Sequence, residues 1–173
     1  ERAYTEALSL AQAAGDVDSI LLATIRLGQI HELRNELHQA YETYQKVLNL
    51  IGENPPALVT LAYIGLARIY YNWNNLEMAE KYAVQSHQLA LLCEQVIDRL
   101  ISSELFLSRL KITQKDPVSA DFFLTQAENH ARQYHYKVRF PDIAAARAIL
   151  CLHNYDVEAA AQLVQDQDRW LVR

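Results

Sequence analysis

Apolar residues recur at three- and four-residue intervals along almost the whole chain and never alternate, a period that predicts helix after helix and no strand. Tyr4, Ala7, Leu8, Leu10 and Ala11 place the opening residues inside a first helix, and Gly15 ends it. Asp16 or Asp18 caps a second helix, Ser19 to about Leu33. After a turn at 34–36, the stripe Leu37, Ala40, Tyr41, Tyr44, Val47, Leu48 and Ile51 keeps to one face of a third. Gly52 stops that helix, and Asn54 with Pro55 restarts the chain as N-cap and first-turn proline. Two helices follow, at about Pro55 to Trp73 and Leu76 to Leu92, then a turn near Cys93–Gln95. The next helix reaches about Gln114, where Asp116–Pro117 marks a stop and a restart. A helix from Pro117 to about His135, the connector Tyr136–Phe140, a helix from Pro141 to about His153 and one capped by Asp156 complete the series. Gln165 to Arg173 reads as a following element cut short. That makes nine helices joined by short connections, so neighbours run antiparallel.

The stretch Leu61 to Ala90 organises the rest. It reads as two helices facing each other across an Asn-rich turn, with small residues where they touch. The same arrangement recurs. Pairing the small residue of each first helix with the alanine of each second gives Gly28/Ala40, Ala67/Ala79, Ser108/Ala120 and Ala148/Ala160, twelve residues apart every time. From one repeat to the next the first-helix residue moves on by 39, 41 and 40. A fixed offset of small residues is what close helix contact requires, because bulk there would push the axes apart.

This pattern resembles the tetratricopeptide repeat, W-x2-L-G-x2-Y on a first helix and A-x3-F on a second. Here those slots read Thr24-x2-Leu27-Gly28-x2-His31 with Ala40-x3-Tyr44, then Tyr63-x2-Leu66-Ala67-x2-Tyr70 with Ala79-x3-Ala83. The third reads Glu104-x2-Leu107-Ser108-x2-Lys111 with Ala120-x3-Leu124, and the last Ala144-x2-Arg147-Ala148-x2-Cys151 with Ala160-x3-Val164. The period of about 40 departs from the usual 34. The longer helices, the turn from Leu10 to Asp16 and the phrase GLARIYYNWNNLEMAEKYAVQSHQLA resemble the sensor superhelix of MalT-type regulators, ATP-dependent activators of the LuxR family. The resemblance implies an all-α right-handed superhelix of antiparallel helix pairs. It spans 1–173 as a single domain, with a partial repeat at 1–16, repeats at 17–53, 54–94, 95–137 and 138–166, and a truncated element at 167–173.

In such regulators an ATP-binding switch module precedes the superhelix and a LuxR-type helix-turn-helix follows it. Neither is in this chain, which lacks G-x-x-x-x-G-K-[ST]. The expectation is therefore a fragment without a cofactor of its own, with ATP and DNA handled only by other parts of a parent protein. A net charge of −5 agrees, since general nucleic-acid binding needs a basic footprint. The charged stretch from Glu128 to Arg139 is locally basic and reads as a solvated helix end.

Catalytic signatures are missing. No two of the six histidines stand four apart, none joins a glutamate in H-E-x-x-H, and no nucleophile elbow occurs, so the reading is a binding protein and no enzyme. Cys93 and Cys151 lack metal-ligand spacing and read as core thiols of a reducing cytosol. No apolar run approaches the roughly 18 residues of a membrane span, which predicts a soluble, cytoplasmic protein without membrane contact. Among the ten tyrosines, Tyr4, Tyr44 and Tyr70 fall on packing slots. Trp73 plugs the end of its helix, while Tyr71, about 100° round from Tyr70, faces a groove.

By the resemblance, first helices line a concave face with residues one and four after, and three before, each small contact residue. These are Ile25, Gln29 and Glu32; Ile64, Arg68 and Tyr71; Leu105, Arg109 and Ile112; and Ala145 with Ile149. The candidate binding set is Gln29, Glu32, Arg68, Tyr71 and Arg109. Arg68 and Arg109 on adjacent rungs would hold a carboxylate, a phosphate or an acidic partner residue. The competing reading makes them surface charges paired with Glu32 or Glu104. The expected role is sensing a small-molecule or protein effector in the groove. The alternative is a stand-alone tetratricopeptide adaptor for protein–protein interaction. An apolar face at each truncated end also predicts end-to-end self-association.

Overall fold

Six of the described helices end in the same way. Gly15, Asn35, Asn74, Lys115, His135 and Tyr155 all have φ between 54° and 69°, the left-handed region. At each one the amide of the following residue bonds back to the last turn, as in Glu36 N–H to the His31 carbonyl (2.9 Å) and Asp116 N–H to the Lys111 carbonyl (2.9 Å), which satisfies carbonyls that would otherwise be orphaned. The next residue then caps the next helix. Asp16, Asn75, Asp116 and Asp156 each accept the backbone N–H three residues on, at 3.0–3.2 Å. Asp116→Ala should therefore destabilise the protein, read as a lower urea midpoint at unchanged slope.

A computed structural model describes residues 1–52, 54–93 and 97–165. Among them are nine α-helices and no strand: α1 (Arg2–Ala14), α2 (Val17–Leu33), α3 (Leu37–Leu50), α4 (Thr60–Asn72), α5 (Leu76–Leu91), α6 (Ile97–Thr113), α7 (Pro117–Gln133), α8 (Phe140–His153) and α9 (Val157–Gln165). Short 3-10 turns, Ala57–Val59 and Lys137–Arg139, precede α4 and α8. The tetratricopeptide-like, all-α architecture is the one the repeat predicts. The turn at Gln95 and the element expected over 167–173 lie outside the described residues, as does the Val164 side chain.

α4 begins five residues later than Pro55 suggested. Pro55 precedes another proline, which pushes it away from helical geometry, and Pro56 itself is extended (φ −66°, ψ 154°). Tyr4 is another departure. It was expected in a packing slot but is 39% exposed on α1, which packs against α2 alone among the helices it adjoins closely.

The chain divides into two compact units, Glu1–Leu89 and Ala90–Arg173. In the first, α2 lies against α1, α3 and α4, and α3 also against α4. α5 joins them through Ser86, whose buried hydroxyl donates to the Thr60 carbonyl (3.0 Å). The core is Leu21, Ile25, Ala40, Tyr44, Val47, Val59, Ala62, Leu66 and Ile69. In the second, α6 packs on α7 and α8, and α8 on α7 and α9. Ile101, Ala127, Ala131 and Ile143 form one cluster there; Ala120, Leu124 and Leu150 form another. All eight small residues of the repeat are buried. The one polar member, Ser108, satisfies its hydroxyl on the Leu105 carbonyl (2.8 Å).

Candidate functional site

Four of the five candidate residues belong to two neighbouring helices of the first unit. Gln29 and Glu32 sit on the last two turns of α2, and Arg68 and Tyr71 on the last two of α4. Tyr44, on α3, comes up beneath them. Its ring is fully buried, wedged between the backbones of Gly28 and Gly65. Only glycine admits the ring there: a Cβ would stand 2.6 Å from it at Gly28 and 2.4 Å at Gly65.

The Tyr44 hydroxyl donates to Glu32 Oε2. Arg68 grips the same carboxylate with two prongs, Nε to Oε1 at 2.8 Å and Nη2 to Oε2 at 2.8 Å. Burial and the adjoining Glu32 charge push the phenol well above its ordinary range. Burial alone would lower the guanidinium, but the Glu32 bond and charge outweigh it and hold it raised. The Glu32 side chain is 15% exposed and that of Arg68 41%, so the ion pair forms a floor whose outer edge reaches solvent. Beside it, Gln29 accepts from Arg26 Nη1 (2.9 Å), and Tyr71 is half-exposed.

The pairing of Arg68 with Glu32 fits the competing reading of that arginine, as one half of a surface ion pair. A carboxylate or phosphate ligand would meet a guanidinium with two of its three nitrogens engaged. Arg109 lies exposed on α6 of the second unit. Ile25 and Ile64, placed at the groove by register, are buried instead, because α2 and α4 turn those positions toward the core. Ala145 and Ile149 of α8 are exposed, as a groove lining requires.

The second unit holds a polar pair of another kind. Glu104 occupies the slot where the tetratricopeptide pattern has tryptophan and is fully buried. Its Oε1 stands 2.8 Å from His130 Nδ1 of α7, and its Oε2 is buried with no hydrogen-bond partner. Burial pushes the carboxyl up to about 8 and pushes the imidazole down. The ring also borders a cavity of about 80 Å³ with Cys93, Leu100 and Tyr134. Spacing could not reveal this pair, since its members are 26 residues apart; the one local signal was an acid in an aromatic slot. Arg139, in the locally basic stretch, is tied to Asp98 and Asp142, whereas Arg132 and Lys137 are exposed as a solvated helix end requires.

Among the described residues no three His, Cys, Asp or Glu side chains gather to hold a metal ion, and no helix is long and apolar enough to cross a membrane.

A family profile described as the MalT-like TPR region matches residues 1–171. None of the curated proteins matches the sequence. Among solved structures, the crystal structure of BtubC (BKLC) from P. vanneervenii is similar, with a TM-score of 0.81 at 20% identity over 96% of this chain and 70% of that one. At that identity the likeness concerns the fold.

Proposed function

The chain belongs to the MalT-like TPR family, and from that premise we propose that it is the effector- or partner-sensing segment of a LuxR-family transcriptional regulator. The observation that carries the proposal is the family match over 171 residues, which spans every repeat that the small-residue offsets define. The mechanism is binding without a covalent step. An inducer or an inhibitory protein engages the α2/α4 face and favours one packing of the superhelix against the switch module of the parent protein, a population shift that requires different affinities for the two states. ATP and DNA are handled by the parent's other modules, in the cytoplasm.

Within this mechanism the Glu32–Arg68 clamp serves as a relay. An acidic ligand group that competes for the guanidinium releases Glu32 and, through it, the Tyr44 hydroxyl that ties α3 to α2. Gln29 and Tyr71 flank that exchange.

The decisive experiment is the mass of the intact native protein together with its tryptic map. Peptides carrying a phosphate-binding Gly-Lys-Thr loop upstream and a helix-turn-helix downstream are expected; a native chain scarcely longer than this one would remove the regulator reading and leave an adaptor. In the native regulator, Arg68→Ala should raise the inducer concentration for half-maximal transcription by about tenfold, the effect of losing one charge-assisted contact. An unchanged dose–response for Arg68→Ala combined with Arg109→Ala would remove the assignment of the face.

A further inference from the structure

Five rings of the first unit form one chain of contacts across three helices. Tyr63 and Tyr70 come from α4, Trp73 from the residue that ends it, Tyr41 from α3 and Tyr82 from α5. Tyr82 stands between Tyr63, at 6.3 Å, and Tyr70, on which it stacks at 5.5 Å with an interplanar angle of 10°. Tyr41 meets Tyr70 edge-on at 5.8 Å, and Trp73 packs 5.4 Å and 5.7 Å from Tyr41 and Tyr70. All five are half-buried, so each keeps an edge in solvent. Packing alone does not account for the choice of ring, because phenylalanine fills an apolar slot without a hydroxyl to satisfy. Yet the four phenylalanines of the chain all lie in the second unit, and every ring of this chain of contacts is a phenol or an indole, the side chains that surrender single electrons.

We propose that Tyr70 and Tyr82 are a site of oxidative cross-linking, joined as dityrosine by a diffusible one-electron oxidant whose equivalents enter at Trp73. The indole of Trp73 gives up an electron, and Tyr70, in ring contact at 5.7 Å, restores it. The phenol proton of Tyr70 leaves by way of the Tyr41 oxygen, 3.5 Å from its own. A second equivalent passes along the stack to Tyr82, whose phenol proton goes to solvent. The two phenoxyl radicals then couple through ring carbons next to their oxygens. The hydrogen on each of those carbons moves to the oxygen, which restores both phenols. In sum, two electrons go to the oxidant, two protons go to water, and one carbon–carbon bond forms between α4 and α5. The near-parallel stack selects this pair, because it sets the ring edges side by side, whereas the T-shaped contact of Tyr41 sets an edge against a face. The bond ties together the two helices of one repeat. It uses no residue of the Glu32–Arg68 clamp, so it stands or falls separately from the sensing role.

The test is brief illumination of the dilute 173-residue chain with tris(bipyridine)ruthenium and persulfate, followed by peptide mapping. The expected product is a monomer lighter by two hydrogens, with the peptides of Tyr70 and Tyr82 joined. Oxidation governed by exposure alone would instead mark Tyr155, 94% exposed, and Tyr134, 46% exposed. Trp73→Phe keeps a ring in place and should lower the yield of the joined peptides severalfold. Tyr82→Phe keeps the stack but has no phenol proton to lose, and should abolish them. Tyr155→Phe should leave the yield unchanged. Oxidation confined to Tyr155 and Tyr134, or a yield that Trp73→Phe does not alter, would overturn the proposal.

Discussion

Gly65→Ala is expected to destabilise the protein by about 2 kcal/mol, although alanine is the better helix former by about 1 kcal/mol. The added methyl would stand 2.4 Å from the Tyr44 ring, closer than van der Waals contact allows. The ring has nowhere to go. Gly28 closes its other side, where an added Cβ would stand 2.6 Å from it, it is wholly buried, and its hydroxyl is fixed on a carboxylate that Arg68 grips twice. Removing the ring gives the reciprocal result. Tyr44→Ala should cost about 3–5 kcal/mol, the usual loss for truncating a buried aromatic residue. In that background Gly65→Ala should change sign and stabilise, because the methyl enters the vacated space and the helix gains its better former. Urea unfolding of the four proteins in this cycle measures the coupling directly. Additive effects would show that the ring does not wedge the helices apart, and that the clamp above it is held by other contacts.

Gly28 could be read from the sequence, but Gly65 could not. The offset of small residues marks points where two helix axes approach, and Gly28, Ala40, Ala67 and Ala79 follow from it. Gly65 lies two residues outside that register. Its need comes from a ring on a third helix, and nothing local to α4 encodes it. The turns divide similarly. Gly15 announces a left-handed residue, whereas Lys115, His135 and Tyr155 adopt the same conformation because the back-bonded amide after each demands it. At the candidate site, register put Glu32 and Arg68 on facing turns, and their ion pair followed as one of two outcomes open at that stage. Register also placed Ile25 and Ile64 at a groove, where a straight-helix count misses how far α2 and α4 rotate toward their shared core.

Glu104→Gln should abolish a loss of stability on the alkaline side and leave the protein little changed near pH 5. The folded protein holds the Glu104 carboxyl at about 8 through burial, against an ordinary value of 4.5. Between those limits the unfolded chain releases a proton that the folded chain keeps. Stability therefore falls as pH rises, by about 1.4 kcal/mol per pH unit at most, and levels off above about 8. His130 acts on the other side. Its imidazole is pushed below the ordinary 6.5 by burial, so protonating it below that value favours the unfolded chain, and stability is lost toward acid. The two slopes oppose each other where they overlap, which leaves the alkaline decline to Glu104 from about 6.5 to about 8. Glutamine keeps the size of the side chain and a bonding atom for His130 Nδ1 but cannot ionise, so the variant should gain on the wild type from pH 6.5 to about 8 and hold that lead to pH 9. His130→Ala should do the reverse. It removes the acid-side loss and strips the buried carboxyl of its single partner, a change that costs about 1–3 kcal/mol even at neutral pH. Denaturation curves at pH 5, 6.5, 8 and 9 separate these outcomes. Wild type and Glu104→Gln running parallel across that range would mean that the carboxyl titrates as it does in water, and that solvent reaches the centre of the second unit between α6 and α7.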